Sequence, residues 1–264
     1  MTDGSGRAER PPEDDPRKEN LRLARRVRRL EATMQHLEQI RDTNSRVLQR
    51  LMAELDEERQ RSHALLLNVL PQPIIDRLNA GEEAIADRYE DVAVLFSDFV
   101  GFTEISARLP VATLVSTLNG LFSRFDAACE ELGVEKIKTI GDAYMAAAGL
   151  PGTREPGAAA VAELALAMRE TVAEVGEPWS IRIGVHVGPV IAGVIGTRKF
   201  VYDLWGDTVN VASRLETTSL PDRIQVSSAL AGSLGGAYRL EERGDVELKG
   251  KGSTRAYFLL GRMG

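Results

Sequence analysis

Asp91-Val-Ala-Val-Leu-Phe-Ser-Asp-Phe-Val-Gly-Phe-Thr103 sets the frame for the rest of the chain. Val92 to Phe96 is an unbroken apolar run and predicts a buried strand. The strand ends at Asp98, where an ionisable side chain is costly without a partner. Phe99-Val-Gly-Phe-Thr103 then reads as a short turn, whose Gly101 lets backbone N–H groups approach a ligand. A second carboxylate follows in Lys136-Ile-Lys-Thr-Ile-Gly-Asp-Ala-Tyr-Met145. Two strand-like runs, Lys136–Ile140 and Ala143–Ala148, meet there at Gly141-Asp142, a tight hairpin turn. With the first strand beside this hairpin, Asp98 and Asp142 come together. Two carboxylates at one point share a proton or hold a divalent metal. The plainer alternative is that Asp98 caps the next helix and Asp142 is turn chemistry. The pair, beside a Gly-bearing turn, favours metal and phosphate.

The chain has 264 residues and is 43% hydrophobic, enough for one sizeable domain with an extension. Its net charge of −6 does not advertise nucleic-acid binding. The single cysteine, Cys129, permits no intrachain disulfide and reads as a small buried apolar residue. No apolar run reaches the length of a membrane span, and no secretory signal opens the chain. The expectation is a cytoplasmic protein.

Residues 1–19 are rich in Pro, Gly and charge and are expected to be a disordered tail. From Asn20 the pattern changes. Val27, Leu30, Met34 and Leu37 fall at a and d positions of a heptad; Leu48, Leu51 and Leu55 resume that register after a polar gap at Arg41 and Asn44. Residues 20–66 therefore predict a long helix in a parallel, dimeric coiled coil, with Arg26 and Glu31 placed to pair between strands. Arg25-Arg-Val-Arg-Arg29 could serve nucleic acid or lipid, but a solvated coiled-coil face is commoner. Pro71 and Pro73 stop the helix, Ile74–Leu78 makes one short helical turn, and residues 67–83 join the coil to a globular domain over 84–264.

In that domain, Leu109–Leu132 carries Leu114, Leu118, Leu121, Phe122, Phe125, Cys129 and Leu132 on one helical face. Gly157–Val175 is an Ala-rich helix with Leu164 and Met168 inward. Ser180–Val187, Val190–Ile195 and Lys199–Trp205 read as strands, and Asp207–Thr218 as a helix with Asp207 at its N-cap. Arg223–Val226, Tyr238–Leu248 and Arg255–Leu260 complete the sheet. This order predicts an α+β fold with a ferredoxin-like, mostly antiparallel sheet covered by helices on one side.

Several polar residues stand where a surface role fits poorly. Lys138 lies within a hairpin strand, and Asp203 within the apolar run Phe200–Trp205. Asn210 and Arg214 share one helix face. Arg198 sits at a strand-to-strand turn, and Lys249 opens Lys249-Gly-Lys-Gly252. Together these cations, one amide and one acid suit a triphosphate plus a base.

At this point the chain resembles the class III nucleotidyl cyclase catalytic domain over roughly residues 88–262. The motifs are Phe96–Thr103, Glu135–Asp142, Val201-Tyr-Asp-Leu-Trp-Gly-Asp-Thr-Val-Asn-Val-Ala-Ser-Arg-Leu-Glu216 and Val246–Gly252. Leu65–Leu78 resembles the short transducing element that often precedes such domains. The resemblance implies a palm-type cyclase fold and an adenylate cyclase that makes cyclic AMP and pyrophosphate from ATP. It implies two Mg²⁺ or Mn²⁺ ions per active site on Asp98 and Asp142, with Phe99, Gly101, Phe102 and Thr103 around the phosphates. Lys138 and Asp203 match the pair that reads adenine, Asn210 the ribose-positioning residue, and Arg214 the arginine that stabilises the reacting phosphate. Arg198 and Lys249 match cationic contacts to the triphosphate. Guanylyl relatives carry Glu at the position of Lys138, so ATP is the expected substrate. A guanylate cyclase and a silent ATP-binding or dimerisation module are the alternatives. The family forms head-to-tail homodimers with shared active sites. No sensor precedes the coil, so the chain is expected to be constitutive, a fragment, or controlled by a partner at its N-terminus.

Overall fold

The computed structural model describes residues 16–67, 69–196 and 200–263. The described chain divides into two compact units, one up to Ala64 and one from Leu65 onward.

Helix α1 runs from Pro16 to Leu67, 52 residues or about 78 Å at 1.5 Å per residue. It buries no residue, and the predicted seam of Val27, Leu30, Met34, Leu37, Leu48, Leu51 and Leu55 stays exposed. The helix begins four residues before Asn20, so residues 16–19 are helical and not tail. Residues 1–15 of the expected tail lie outside the described residues. Among the described residues no helix is long and apolar enough to cross a membrane.

The second unit continues with α2 (Gln72–Asn79), β1 (Ala86–Phe99), α3 (Phe102–Arg108), α4 (Val111–Leu132), β2 (Glu135–Ile140) and β3 (Ala143–Ala148). Next come α5 (Gly157–Val175), β4 (Ile181–Ile195), β5 (Val201–Trp205), α6 (Asp207–Thr217), β6 (Ile224–Ser227), α7 (Ser228–Leu234), β7 (Tyr238–Leu248) and β8 (Gly252–Arg262). The strands form one sheet in the order β2-β3-β1-β4-β6-β8-β7, and β5 pairs with the far end of β4. Among the described strands, only β4 and β6 run parallel. The unit β1-α4-β2-β3-α5-β4 is the expected ferredoxin-like arrangement.

Strand alternation divides the core in two. Ala93, Leu95 and Phe99 of β1, Tyr144 and Ala146 of β3, and Ile181, Ile183 and Val185 of β4 pack against α4, α5 and α7. Val92, Val94 and Phe96, with Met145 and Ala147, face the other way, where Ile74 and Ile75 of α2 and Ala212 of α6 cover them. Helices thus lie on both faces, not on one as expected. The reason is Gly184. A Cβ there would sit 2.0 Å from Glu216 N and 2.6 Å from Ala212 O, so only glycine lets α6 lie directly on β4.

Two other expectations change. The strands predicted at 180–187 and 190–195 are one, because β4 pairs with β1 along nearly its whole length, past Gly188 and Pro189. The helix predicted at 109–132 is preceded by α3, with Pro110 at the N-cap of α4.

Candidate active site

Asp98 and the Lys138–Asp203 contact lie on the sheet side that carries α6, and Asn210 and Arg214 lie on α6 itself. Asp98 shares its face of β1 with Phe96, and its register partner on β4 is Arg182. Arg182 Nη2 donates to Asp98 Oδ2 at 2.9 Å. Asp142 occupies the two-residue turn between β2 and β3, where Gly141 takes φ +64° as a two-residue hairpin requires. The Asp142 carboxyl lies against that of Asp98. Burial, together with the neighbouring Asp98, pushes Asp142 up to about 6 from its ordinary 3.8.

Behind this pair stands Glu216 of α6. Its Oε1 lies 3.4 Å from Arg182 Nε, and both atoms are buried without a hydrogen bond. Burial pushes Glu216 up to about 7, against the opposing pull of Arg182. Neither Arg182 nor Glu216 was singled out from the sequence. Their significance comes from the β1–β4 register and the close seat of α6, which no local pattern announces.

Lys138 and Asp203 are in contact. Lys138 Nζ donates to Asp203 Oδ2 at 2.5 Å, and Asp203 Oδ1 accepts from Leu204 N at 2.8 Å. A β-bulge makes this contact. The β2–β3 register slips between Lys136 and Lys138, so Lys136 pairs with Ala146 while Lys138 pairs with Met145. Without the slip both lysines would share one face; with it, Lys136 turns to Asp126 at 2.7 Å and Lys138 turns to β5. A cleft of about 610 Å³ opens beside Lys138 and is lined also by Glu135, Val201 and Tyr202.

Asn210 and Arg214 project from α6, and the Arg214 guanidinium lies beside Gly250, whose Cβ would stand 3.9 Å from both terminal nitrogens. Lys249 is exposed in the β7–β8 turn. Lys251, its neighbour, forms an ion pair with Asp207. Asp207 is therefore a first-turn residue engaged in that pair; the N-cap of α6 is Gly206. Among the described residues no hydrogen bond or ion pair joins Arg214 to Asp98 or Asp142. Gly101, at φ +65°, is the N-cap of α3, and Thr103 is exposed in its first turn. The Phe99 ring is core, edge-on to Trp179 at 5.3 Å, and Phe102 packs on the same cluster, so these two offer a ligand mainly backbone. Arg198 lies outside the described residues.

The donor set fits a divalent ion. Two carboxylates side by side, Asp142 held high by burial and by its neighbour, gain from a cation between them. Among the described residues no group of three or more His, Cys, Asp or Glu forms a closed metal cage. One or two carboxylates completed by substrate phosphates is the usual arrangement for Mg²⁺.

Comparison with known proteins identifies the family. Residues 84–261 match the family model of the adenylate and guanylate cyclase catalytic domain. An adenylate cyclase of Mycobacterium tuberculosis is 44% identical over 218 residues, 81% of this chain and 49% of that protein, so the chain spans about half the length of this relative. The guanylate cyclase domain of RhGC from Catenaria anguillulae, solved with GTP, superposes with a TM-score of 0.64 at 38% identity, covering 67% of this chain and all of that one. The adenylyl cyclase CyaB from P. aeruginosa superposes with a TM-score of 0.62 at 27% identity, covering 66% and 95%. The match over 84–261 places this chain in the adenylate and guanylate cyclase catalytic domain family.

Proposed function

We propose that the chain is an adenylate cyclase, converting ATP to 3′,5′-cyclic AMP and pyrophosphate in sites shared by two copies. The observation that carries the substrate is the Lys138–Asp203 contact. It sets a donor-only ammonium beside an acceptor-only carboxylate. Adenine offers the complement, an acceptor at N1 and a donor at N6, whereas guanine presents the reverse. Entry of the base exchanges one ion pair for two hydrogen bonds to substrate.

In the reaction the ribose 3′-oxygen bonds to the α-phosphorus, the bond from that phosphorus to the bridging oxygen breaks, and pyrophosphate leaves with the electron pair. The 3′-OH proton passes to solvent. Asp98 and Asp142 would hold the metal ions. Bound Mg²⁺ or Mn²⁺ would supply acidification of the 3′-OH and neutralisation of the leaving group. Asn210 orients the ribose, and Arg214 meets charge that grows on the α-phosphate. Lys249, with Arg198, holds the triphosphate tail, and the Gly101–Thr103 backbone lies at its other side. Arg182, already paired with Asp98, supplies a further positive charge at the metal end.

Two further points support a shared site. Glu216 faces its own chain's Arg182, and Arg214 precedes it by two residues, about 200° round the helix. A side chain so turned points away from its own Asp98, which suits a site completed by a second copy. The exposed seam of α1 likewise suits a parallel coiled coil, which would hold the two copies together. Cyclic nucleotide formed from ATP and from GTP with Mn²⁺ tests the reading. Cyclic AMP in large excess supports it. A preference for GTP points to a guanylate cyclase, and no product from either points to a silent binding module.

A further inference from the structure

The β7–β8 ribbon grips α6 at both ends. At the N-terminal end, Lys251 pairs with Asp207. Between the ends, Leu248 and Ala256 of the ribbon pack on Val211 and Leu215 of α6. At the C-terminal end stands Arg243, which the functional reading leaves unused. The β7–β8 register slips between Glu242 and Gly244, so Arg243 is the residue bulged out of the ladder. Such a bulge re-aims a side chain. Arg243 lies 5.3 Å from the Phe258 ring centroid and donates from Nη1 to Thr218 O at 2.6 Å. Thr218 is the C-cap of α6, and both its backbone N–H and its hydroxyl, the latter at 2.7 Å, bond to Arg214 O. Buried Gln225 adds a bond from Nε2 to the Thr218 hydroxyl at 3.0 Å.

We infer that Arg243 is a positioning residue for Arg214: by holding the terminal carbonyl of α6, it fixes where the helix presents the Arg214 guanidinium. Two effects favour the contact. A cation at a helix C-terminus is stabilising. A charge-assisted bond of this kind is short and directional. The inference rests on the proposed role of Arg214 and adds the residue that sets its place.

The test is a double-mutant cycle on the full chain with ATP and Mn²⁺. Arg243→Met keeps the aliphatic stem on Phe258 and removes the donor. It should lower kcat about tenfold or more, with KM changed less than about threefold, because only a transition-state contact is misplaced. Added to Arg214→Ala it should cost less than about twofold, because the group it positions is already gone. Arg243→Lys, which retains one donor, should recover part of the loss, and thermal unfolding of each variant reports the fold. Wild-type turnover in Arg243→Met overturns the inference. So does a loss that multiplies in full with Arg214→Ala, because Arg243 then acts elsewhere. An Arg214→Ala enzyme with wild-type turnover instead sinks the role of Arg214 itself, a result visible without any change at Arg243.

Discussion

Asp142 carries the clearest pH signature of the site. Its proton is held more tightly in the folded chain than in the unfolded one, about 6 against 3.8. The resulting stability is present below the ordinary carboxylate range and is lost as pH rises through about 6. Without metal, Asp142→Asn should therefore match the wild-type melting temperature near pH 4 and exceed it at pH 7.5. If the Asp142→Asn variant instead loses ground to wild type between pH 4 and pH 7.5, burial and the neighbouring Asp98 do not hold the Asp142 proton. In the same range a proton competes with metal, so Mn²⁺ binding followed by calorimetry should weaken as pH falls through about 6. The base-reading pair makes a separate prediction. Lys138→Glu with Asp203→Cys should lower turnover of ATP and raise the GTP-to-ATP ratio, since an unpaired buried polar group costs about 1–3 kcal/mol. An unchanged preference for ATP removes these residues from base recognition. Asp98, Asp142, Lys138 and Asp203 stand out in the sequence as candidates because each is a polar residue set into a strand-like run or a tight turn. Arg182 and Glu216 could not, since an arginine in an alternating strand and a glutamate in an amphipathic helix look like ordinary outward residues. Only the strand register and the seat of α6 turn them inward.

Secondary-structure elements hold those residues in place. The hairpin of β2 and β3, the helix over 157–175 and strand β7 were legible to within a residue, because alternation, helical periodicity and turn glycines agree there. The bulge that aims Lys138 was not, because a one-residue register slip leaves no mark in composition. Nor was α7, whose seven residues are too few to show a period. Close approach of α6 to β4 rests on Gly184, with Gly188 of the same strand facing Thr208, and the tighter of the two yields a prediction. Gly184→Ala should destabilise by about 1–3 kcal/mol or more, as overpacking does, and melt roughly 2–4 °C lower per kcal/mol. Activity should fall with it, since α6 carries Asn210 and Arg214. A melting temperature equal to wild type would mean that α6 can rise off the sheet without cost. For α1, an exposed apolar seam along so long a helix predicts pairing with its copy. A chain truncated to begin at Ala84 should lose specific activity on dilution more steeply than the full chain, because dimers obey mass action. Activity per subunit that stays flat with dilution in both chains would count against dimer control by the coil.

On the scale of the whole molecule, one chain carries the residues proposed for both halves of a site, and the described ones face different directions. Asp98 and Asp142 lie with Arg182 and Glu216 at one end of the β1–β4 pairing. Arg214 turns instead to the β7–β8 turn. Two copies related head to tail would make two equivalent sites, each with metal aspartates from one chain and Lys138, Asp203, Asn210 and Arg214 from the other. Asp98→Ala and Arg214→Ala homodimers each break both sites. Loss of the transition-state arginine alone should cost about 10²–10³ in rate. In a dimer of one mutant with the other, both defects fall in one site and the second site is untouched. The decisive measurement is the turnover of that mixed dimer, co-expressed under two tags and purified through both. A shared site predicts about half of wild-type activity per dimer from two parents that are nearly inactive. A purified mixed dimer as inactive as its parents would contradict it and place the metal aspartates and Arg214 in a site within one chain.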